Sequence, residues 1–70
     1  MNRITPRQTE LLTILARLLK NGVTPTFEEI AKEAGITRSG AFDQFHALRD
    51  KGYVIWQRGR ARTLRIVRMP

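Results

Sequence analysis

The chain has 70 residues, 41% of them hydrophobic, with thirteen Lys plus Arg against six Asp plus Glu, which gives a net charge of +7. This length is too short for more than one domain, and the apolar fraction is typical of a folded protein rather than of a disordered tail. The absence of cysteine excludes disulfides and thiolate metal sites, and no segment approaches the roughly 20 apolar residues that span a membrane.

The first predicted element is a helix that begins at Pro6. Thr5 is suited to cap it, and Gln8 stands three residues after the cap, as in a capping box. The apolar residues that follow have the spacing of one buried helical face: Leu11, Leu12, Ile14, Leu15, Leu18 and Leu19. Asn21-Gly22 predicts the end of this helix.

A second, shorter helix is predicted after Thr26. Glu29 again stands three residues after a capping threonine, which repeats the capping-box spacing. Gly35 is a natural C-terminal stop. The apolar face of this helix is short and consists of Ile30, Ala31 and Ala34.

A third helix is predicted with Thr37 as its cap, continuing through Lys51 to Gly52. Only three or four residues separate it from the second helix, and this spacing with glycine at the turn is the sequence form of a helix-turn-helix. Its apolar face consists of Ala41, Phe45 and Leu48. The side chains predicted to face largely outward are Arg38, Ser39, Asp43, Gln44 and His46.

Two strands are predicted over residues 53–57 and 63–68, joined by a loop of about five residues that contains Gly59. Three helices followed by a hairpin predict an α+β, mainly α, winged helix-turn-helix that occupies residues 1–70 as a single domain. Trp56 is predicted to close this wing over the first helix as a core residue; the alternative is a platform on which bases stack.

Positive charge is concentrated at the C-terminal end of the chain. Residues 1–52 hold eight basic and six acidic side chains, whereas residues 53–70 hold five arginines and no acid. Arginine pairs bidentately with phosphate and with guanine edges, so an acidic polymer is the expected partner. Arg58, Arg60 and Arg62 surround the predicted hairpin tip and are expected to contact phosphates or the minor groove. The alternative is a solvated loop kept soluble by its charge.

Three stretches of the sequence resemble the DNA-binding domain of LexA-type repressors. They are Thr5-Pro6-Arg7-Gln8-Thr9-Glu10, the run from Gly22 to Ala31 with Pro25-Thr26 and Glu29-Ile30-Ala31, and Ala47-Leu48-Arg49-Asp50-Lys51-Gly52-Tyr53-Val54. They match the family patterns T-x-R-Q-x-E, G-x-x-P-T-x-x-E-I-A and A-L-x-x-K-G-Y/V-I in the same order. The resemblance covers nearly the whole chain.

Two departures limit what the resemblance implies. The family's third helix usually begins with a Ser-Pro-Asn-Ala-like run, where this sequence has Thr37-Arg38-Ser39-Gly40-Ala41. The DNA sequence that the family recognises is therefore not assigned to this chain. LexA repressors also continue into a self-cleaving serine-protease domain. The sequence to Pro70 has no such domain, and we expect no autocleavage from these residues alone.

The first turns of the third helix are the predicted major-groove surface, because side chains there reach base edges. In the alternative, Thr37 and Ser39 only cap the helix and Asp43 only complements its dipole. Gly40 would permit close approach to DNA or would have no role, and Phe42 would be a core-rim residue or touch a thymine methyl. The resemblance implies that Thr26 holds a phosphate, beyond its capping role. The predicted DNA-contacting residues are Thr26, Thr37, Arg38, Ser39, Gly40, Phe42, Asp43, Arg58, Arg60 and Arg62.

The predicted function is a sequence-specific regulator of transcription that binds double-stranded DNA as a homodimer or beside a second regulator. The alternatives are a module that docks on an acidic protein such as RNA polymerase, a nonspecific nucleic-acid binder and a small RNA-binding protein. His46 has no second metal ligand beside it and no catalytic carboxylate pair is evident, so we expect no cofactor, no metal and no enzymatic activity. Without an export signal, the chain is expected in the cytoplasm, associated with the nucleoid.

Overall fold

Three helices and a two-stranded antiparallel sheet make up the computed structural model, which describes residues 3–70. Helix α1 spans Pro6–Lys20, α2 spans Phe27–Ala34 and α3 spans Arg38–Asp50. The strands are β1 (Val54–Ile55) and β2 (Arg65–Ile66), paired so that Val54 lies opposite Ile66 and Ile55 opposite Arg65. This order confirms the predicted winged helix-turn-helix.

Each helix begins with an extended threonine whose hydroxyl accepts the backbone N–H three residues later. The pairs are Thr5 with Gln8, Thr26 with Glu29 and Thr37 with Gly40. All three predicted caps are therefore confirmed, because an N-cap depends on residues that are close in sequence. Gly35 ends α2 in the left-handed conformation at φ 71°, which a residue with a side chain rarely adopts.

One apolar core joins the helices to the wing. Strand β1 packs against α3 and β2 packs against α1, so the sheet closes one end of the helical body. The predicted apolar face of α3 is buried, whereas that of α1 is buried at Leu11, Leu12 and Leu15 and half-buried at Ile14, Leu18 and Leu19. The residues of this core cluster are Leu11, Leu12, Leu15, Ile30, Phe45, Leu48, Tyr53, Val54 and Leu64.

Gln8 is the one buried polar side chain of residues 3–70, with 5% of its surface exposed. Its Oε1 accepts hydrogen bonds from the Thr5 backbone N–H at 3.1 Å and from Lys51 Nζ at 2.8 Å, and its Nε2 donates to Gln44 Oε1 at 3.0 Å. The prediction that Gln44 faces outward was therefore wrong: it is half-buried because this amide pair joins the start of α1 to the middle of α3.

The wing departs from the prediction in the length of its strands. The ladder is two residues long on each side, not five and six. Beyond it, the Gln57 N–H donates to Thr63 Oγ1 at 2.9 Å, and the Arg60 N–H donates to the Gln57 carbonyl at 3.2 Å. Arg62 adopts φ 58°, which extended strands exclude. Hydrogen bonds within the turn thus use the backbone N–H and carbonyl groups that would pair in a longer ladder.

Within residues 3–70, no helix is long and apolar enough to cross a membrane.

Candidate nucleic-acid interface

An open cleft of about 380 Å³ lies between the wing and the N-terminal ends of α2 and α3. Its walls are the segment around Thr26, the first turns of α3 and the wing from Trp56 to Leu64. Six of the ten predicted contact residues line it: Thr26, Arg38, Phe42, Arg58, Arg60 and Arg62. The other four, Thr37, Ser39, Gly40 and Asp43, lie on or next to the first two turns of α3, outside the cleft lining. The fold therefore brings three separate parts of the sequence to one surface.

The N-terminal end of α3 is exposed and carries no acidic residue in its first turn. Arg38, Ser39 and Asp43 are exposed, and Gly40 is half-buried. A Cβ built on Gly40 would lie 3.0 Å from Thr37 Oγ1, the oxygen that accepts the Gly40 N–H. Gln8 and Glu29 occupy the equivalent position in the other two caps, so the cap itself does not require glycine here.

Phe42 belongs to an aromatic cluster at the rim of the core. It is 39% exposed, and its ring meets that of Phe27 edge to face at 5.3 Å between centroids. His46 packs against Phe42 at 4.3 Å and against Trp56 at 5.1 Å, and the Arg49 guanidinium lies 4.5 Å from the Trp56 ring centroid. The expectation that His46 simply faces solvent was wrong, because its ring fills the space between two aromatic neighbours.

Trp56 is half-buried, as a residue that closes the wing should be, but its aromatic partners are not on α1. Its ring meets Phe27 at 5.1 Å at the start of α2 and packs on α3 through His46. Trp56 also packs against the core cluster that includes Leu11, Leu12 and Leu15 of α1, and its predicted packing over the first helix stays a prediction.

The five C-terminal arginines fall into two groups. Within residues 3–70, Arg58, Arg60 and Arg65 are exposed and have no side-chain hydrogen bond or ion pair. Arg68 stacks over the Tyr53 ring at 4.4 Å and donates to the Lys51 carbonyl at 3.2 Å. Arg62 is held by the protein as well.

Arg62 reaches α2 with both ends of its guanidinium. Its Nη1 donates to Glu29 Oε1 at 2.9 Å and to the Thr24 carbonyl at 3.1 Å, and its Nη2 donates to Glu29 Oε2 at 3.0 Å. The hydrogen bond from Arg62, and after it the hydrogen bond from the Thr26 backbone N–H, lowers the pKa of Glu29. The hydrogen bond to Glu29 and the negative charge of Glu29 raise the pKa of Arg62. This pair was not predicted from the sequence, because 33 residues separate its members. Whether Arg62 contacts DNA stays a prediction.

Thr26 and Glu29 form a complete capping box. The Thr26 backbone N–H donates to Glu29 Oε1 at 2.9 Å, and the Glu29 N–H donates to Thr26 Oγ1 at 3.1 Å. The Thr26 hydroxyl keeps its own proton available for a further acceptor. A phosphate contact from Thr26 would thus come from this hydroxyl, at the edge of the cleft.

Comparison with known proteins identifies the family. The family described as LexA DNA binding domain matches residues 1–63. The LexA repressor of Leptospira interrogans is 33% identical over 69 residues, which are 97% of this chain and 34% of that protein. The LexA repressor of Citrifermentans bemidjiense is 42% identical over 89% of the chain and 32% of its own length, and that of Thermotoga maritima is 39% identical over 94% and 34%.

The chain thus spans about a third of the length of the curated relatives it matches. The match runs through all three helices and the first strand, and the three motifs quoted above lie within the matched residues. The predicted resemblance is confirmed, and the chain belongs to the LexA DNA-binding domain family.

Proposed function

We propose that this domain is a sequence-specific regulator of transcription that binds double-stranded DNA, with α3 in the major groove and the wing on the neighbouring backbone or minor groove. The observation that carries the proposal is that three exposed arginines line one cleft: Arg38, Arg58 and Arg60. Family membership supports the same function. Exposed guanidinium groups on one surface are natural ligands of phosphate oxygens and of base edges.

The dimensions of α3 suit a major groove. Its 13 residues give a helix about 20 Å long, and a major groove about 12 Å wide admits one helix. In this pose the exposed side chains of Arg38, Ser39 and Asp43 face base edges, and Phe42 lies beside them at the rim of the aromatic cluster. Gly40 and Thr37 keep the first turn close to the DNA backbone, and Thr26 adds a hydroxyl at the cleft edge.

We propose that two copies bind adjacent half-sites. The domain measures 30 × 24 × 23 Å, and half-sites one helical turn apart place two centres about 34–36 Å apart. That separation exceeds the longest dimension by about 4–6 Å, so two copies would meet only through side chains at their facing ends. The apolar residues of α1 outside the core cluster, such as Leu18 and Leu19, are half-buried. The larger exposed apolar side chains near the wing are Ile55, Val67 and Met69, which we propose as the contact surface.

The function is tested by selecting bound fragments from a random duplex library at about 150 mM salt and measuring stoichiometry on the selected site. An inverted or direct repeat bound by two copies is the expected result. With about four to six phosphate contacts, log affinity should fall with log salt at a slope of about −4 to −5. A domain that docks on an acidic protein, or one bound to the nucleoid without sequence preference, would recover no motif.

Arg38→Ala separates base contact from backbone contact at α3. We expect about a tenfold or greater loss on the selected site, because a bidentate base contact contributes about 1–3 kcal/mol, and a much smaller loss on random DNA. Equal losses on both would assign Arg38 to phosphate instead. Competition with duplex RNA, which we expect to be weak, tests the RNA-binding alternative.

A further inference from the structure

The Arg62–Glu29 pair ties the tip of the wing to the body of the domain. Arg62 donates three hydrogen bonds to acceptors on two residues. They are both oxygens of the Glu29 carboxylate, on the first turn of α2, and the Thr24 carbonyl, before that helix begins. Bidentate pairing fixes the orientation of a guanidinium as well as its distance. We call this arrangement the wing latch.

The wing needs such a contact because its ladder is short. Two paired residues on each strand leave residues 56–64 without sheet hydrogen bonds, and a two-stranded hairpin is marginal on its own. Thr63 closes the tip internally by accepting from the Gln57 N–H and donating to the Arg60 carbonyl at 3.0 Å. These bonds shape the loop, but they do not fix it relative to α3.

Arg62 also differs from Arg58 and Arg60 in what it can offer to DNA. Its charge is matched by Glu29, whose two oxygens are both in use, and transfer of Arg62 to a phosphate would leave that carboxylate unpaired beside the DNA. Among residues 3–70, Arg62 is the non-glycine residue with positive φ, so the backbone turns at the point where the latch attaches. Both observations favour a fixed internal role.

Building on the proposed DNA-binding function, we propose that Arg62 is a positioning residue: through Glu29 and Thr24 it holds the wing so that Arg58 and Arg60 reach the DNA, and it does not itself contact phosphate. The exposed tip residues Arg58 to Ala61 lie between the half-buried Trp56 and the latch. Loss of the latch releases this segment at one end. The consequence is a wing that still carries its phosphate contacts but presents them less often.

Glu29→Gln tests the latch without breaking the helix cap. Glutamine at the same capping-box position already serves in α1 as Gln8, so the cap remains, but glutamine offers a single acceptor oxygen and no charge. Glu28→Gln is the matched control, because it removes the same charge from the same turn and Glu28 has no hydrogen bond to the wing among the described residues. We expect Glu29→Gln to bind the selected site about threefold more weakly than Glu28→Gln.

Arg62→Lys and Arg62→Gln separate positioning from phosphate contact. Lysine keeps the charge and loses the bidentate fork, so the latch predicts weaker binding with an unchanged salt slope for both variants. Arg60→Gln is the positive control, with a slope smaller by about one. A slope smaller by about one for Arg62→Gln, or tighter binding by Glu29→Gln than by Glu28→Gln, would overturn the proposal.

Backbone NMR order parameters of the DNA-free protein test the latch directly. We expect those of residues 58–61 to fall toward about 0.6 in Glu29→Gln and Arg62→Lys, and to stay at the wild-type level in Glu28→Gln. Unchanged order parameters in both latch variants would overturn the latch even if the domain binds DNA. Wild-type protein that binds no DNA, with order parameters that fall as expected, would overturn the proposed function and with it the positioning role, while leaving the latch itself in place.

Discussion

The starts of α1 and α2 carry the same local motif and use it differently. Both have a threonine cap, and both close a capping box with the side chain three residues later. In α1 that residue is Gln8, 5% exposed and bonded to Gln44 and Lys51. In α2 it is Glu29, exposed and bonded to Arg62. One motif thus secures the core of the body at one helix and the wing at the other.

The chemistry of the two side chains suits their surroundings. A neutral amide can be buried because it both donates and accepts, whereas a buried carboxylate would need its charge matched. An exposed carboxylate keeps its hydration and gains an arginine partner at small net cost. The comparison predicts large stability effects at Gln8 and effects on wing position, not on folding, at Glu29.

The largest expected effect is from Gln8→Ala. Truncation leaves the Thr5 N–H, Lys51 Nζ and the Gln44 amide without their buried partner, and we expect the free energy of unfolding to fall by about 2–3 kcal/mol. Urea denaturation measures the change. Gln57→Ala, at an exposed glutamine of the wing, is the control and should change stability by less than about 0.5 kcal/mol. A loss as small as that for Gln8→Ala would contradict a structural role for this network.

An intermediate effect is expected from the caps themselves. Thr5→Ala and Thr26→Ala each remove one hydroxyl acceptor from a helix start and should each lower the free energy of unfolding by about 1 kcal/mol. Equal losses of stability would show that the two threonine caps are equivalent. The starts of α1 and α2 would then differ only in the residue that closes the capping box, Gln8 or Glu29. Thermal or urea unfolding of the two variants side by side makes this measurement, and a loss confined to one of them would break the equivalence.

The smallest effect is the pH dependence of the wing latch. The pKa of Glu29 is lowered in the folded protein, chiefly by its hydrogen bond with Arg62. The ionised carboxylate therefore stabilises the wing latch fully at any pH above the pKa of an unfolded glutamate. The stabilisation is lost as pH falls from the pKa of an unfolded glutamate through the lowered value of the folded protein. We expect amide resonances of residues 58–63 to shift in this acidic range in the wild type and not in Glu29→Gln. Identical pH titrations of the wild type and Glu29→Gln would show that the position of the wing does not depend on the ionisation of Glu29.

Local signals in the sequence predicted the helices well. The three threonine caps and Gly35 were identified from residues within a few positions of one another, and the observed helices begin where these caps predict. The apolar spacing that identifies Leu11, Leu15, Phe45 and Leu48 as core is likewise a property of single helices. The family was also recognisable, because its motifs lie at these same caps and at the entry to the wing.

Predictions failed where they depended on contacts between elements. The strands were predicted too long because β-branched and aromatic residues indicate extended backbone without revealing that turn bonds at Gln57 and Thr63 end the ladder. The aromatic contacts of Trp56 with Phe27 and His46 were not predicted, although its packing against the core was. Gln44 and His46 were expected to face solvent because helical spacing does not show what packs against the flank of a helix.

The sequence by itself determined the order of elements, the helix ends, the apolar faces and the family, since caps, glycine stops and helical periodicity act over a few residues. Only the tertiary structure decided which polar and charged side chains are already engaged. Gln8 and Arg62 are each bound to residues more than 30 positions away, Gln44 and Glu29. Such pairs depend on how the helices and wing pack around the core. For this reason a count of arginines indicated a basic wing, but not which of its arginines remain exposed to a partner.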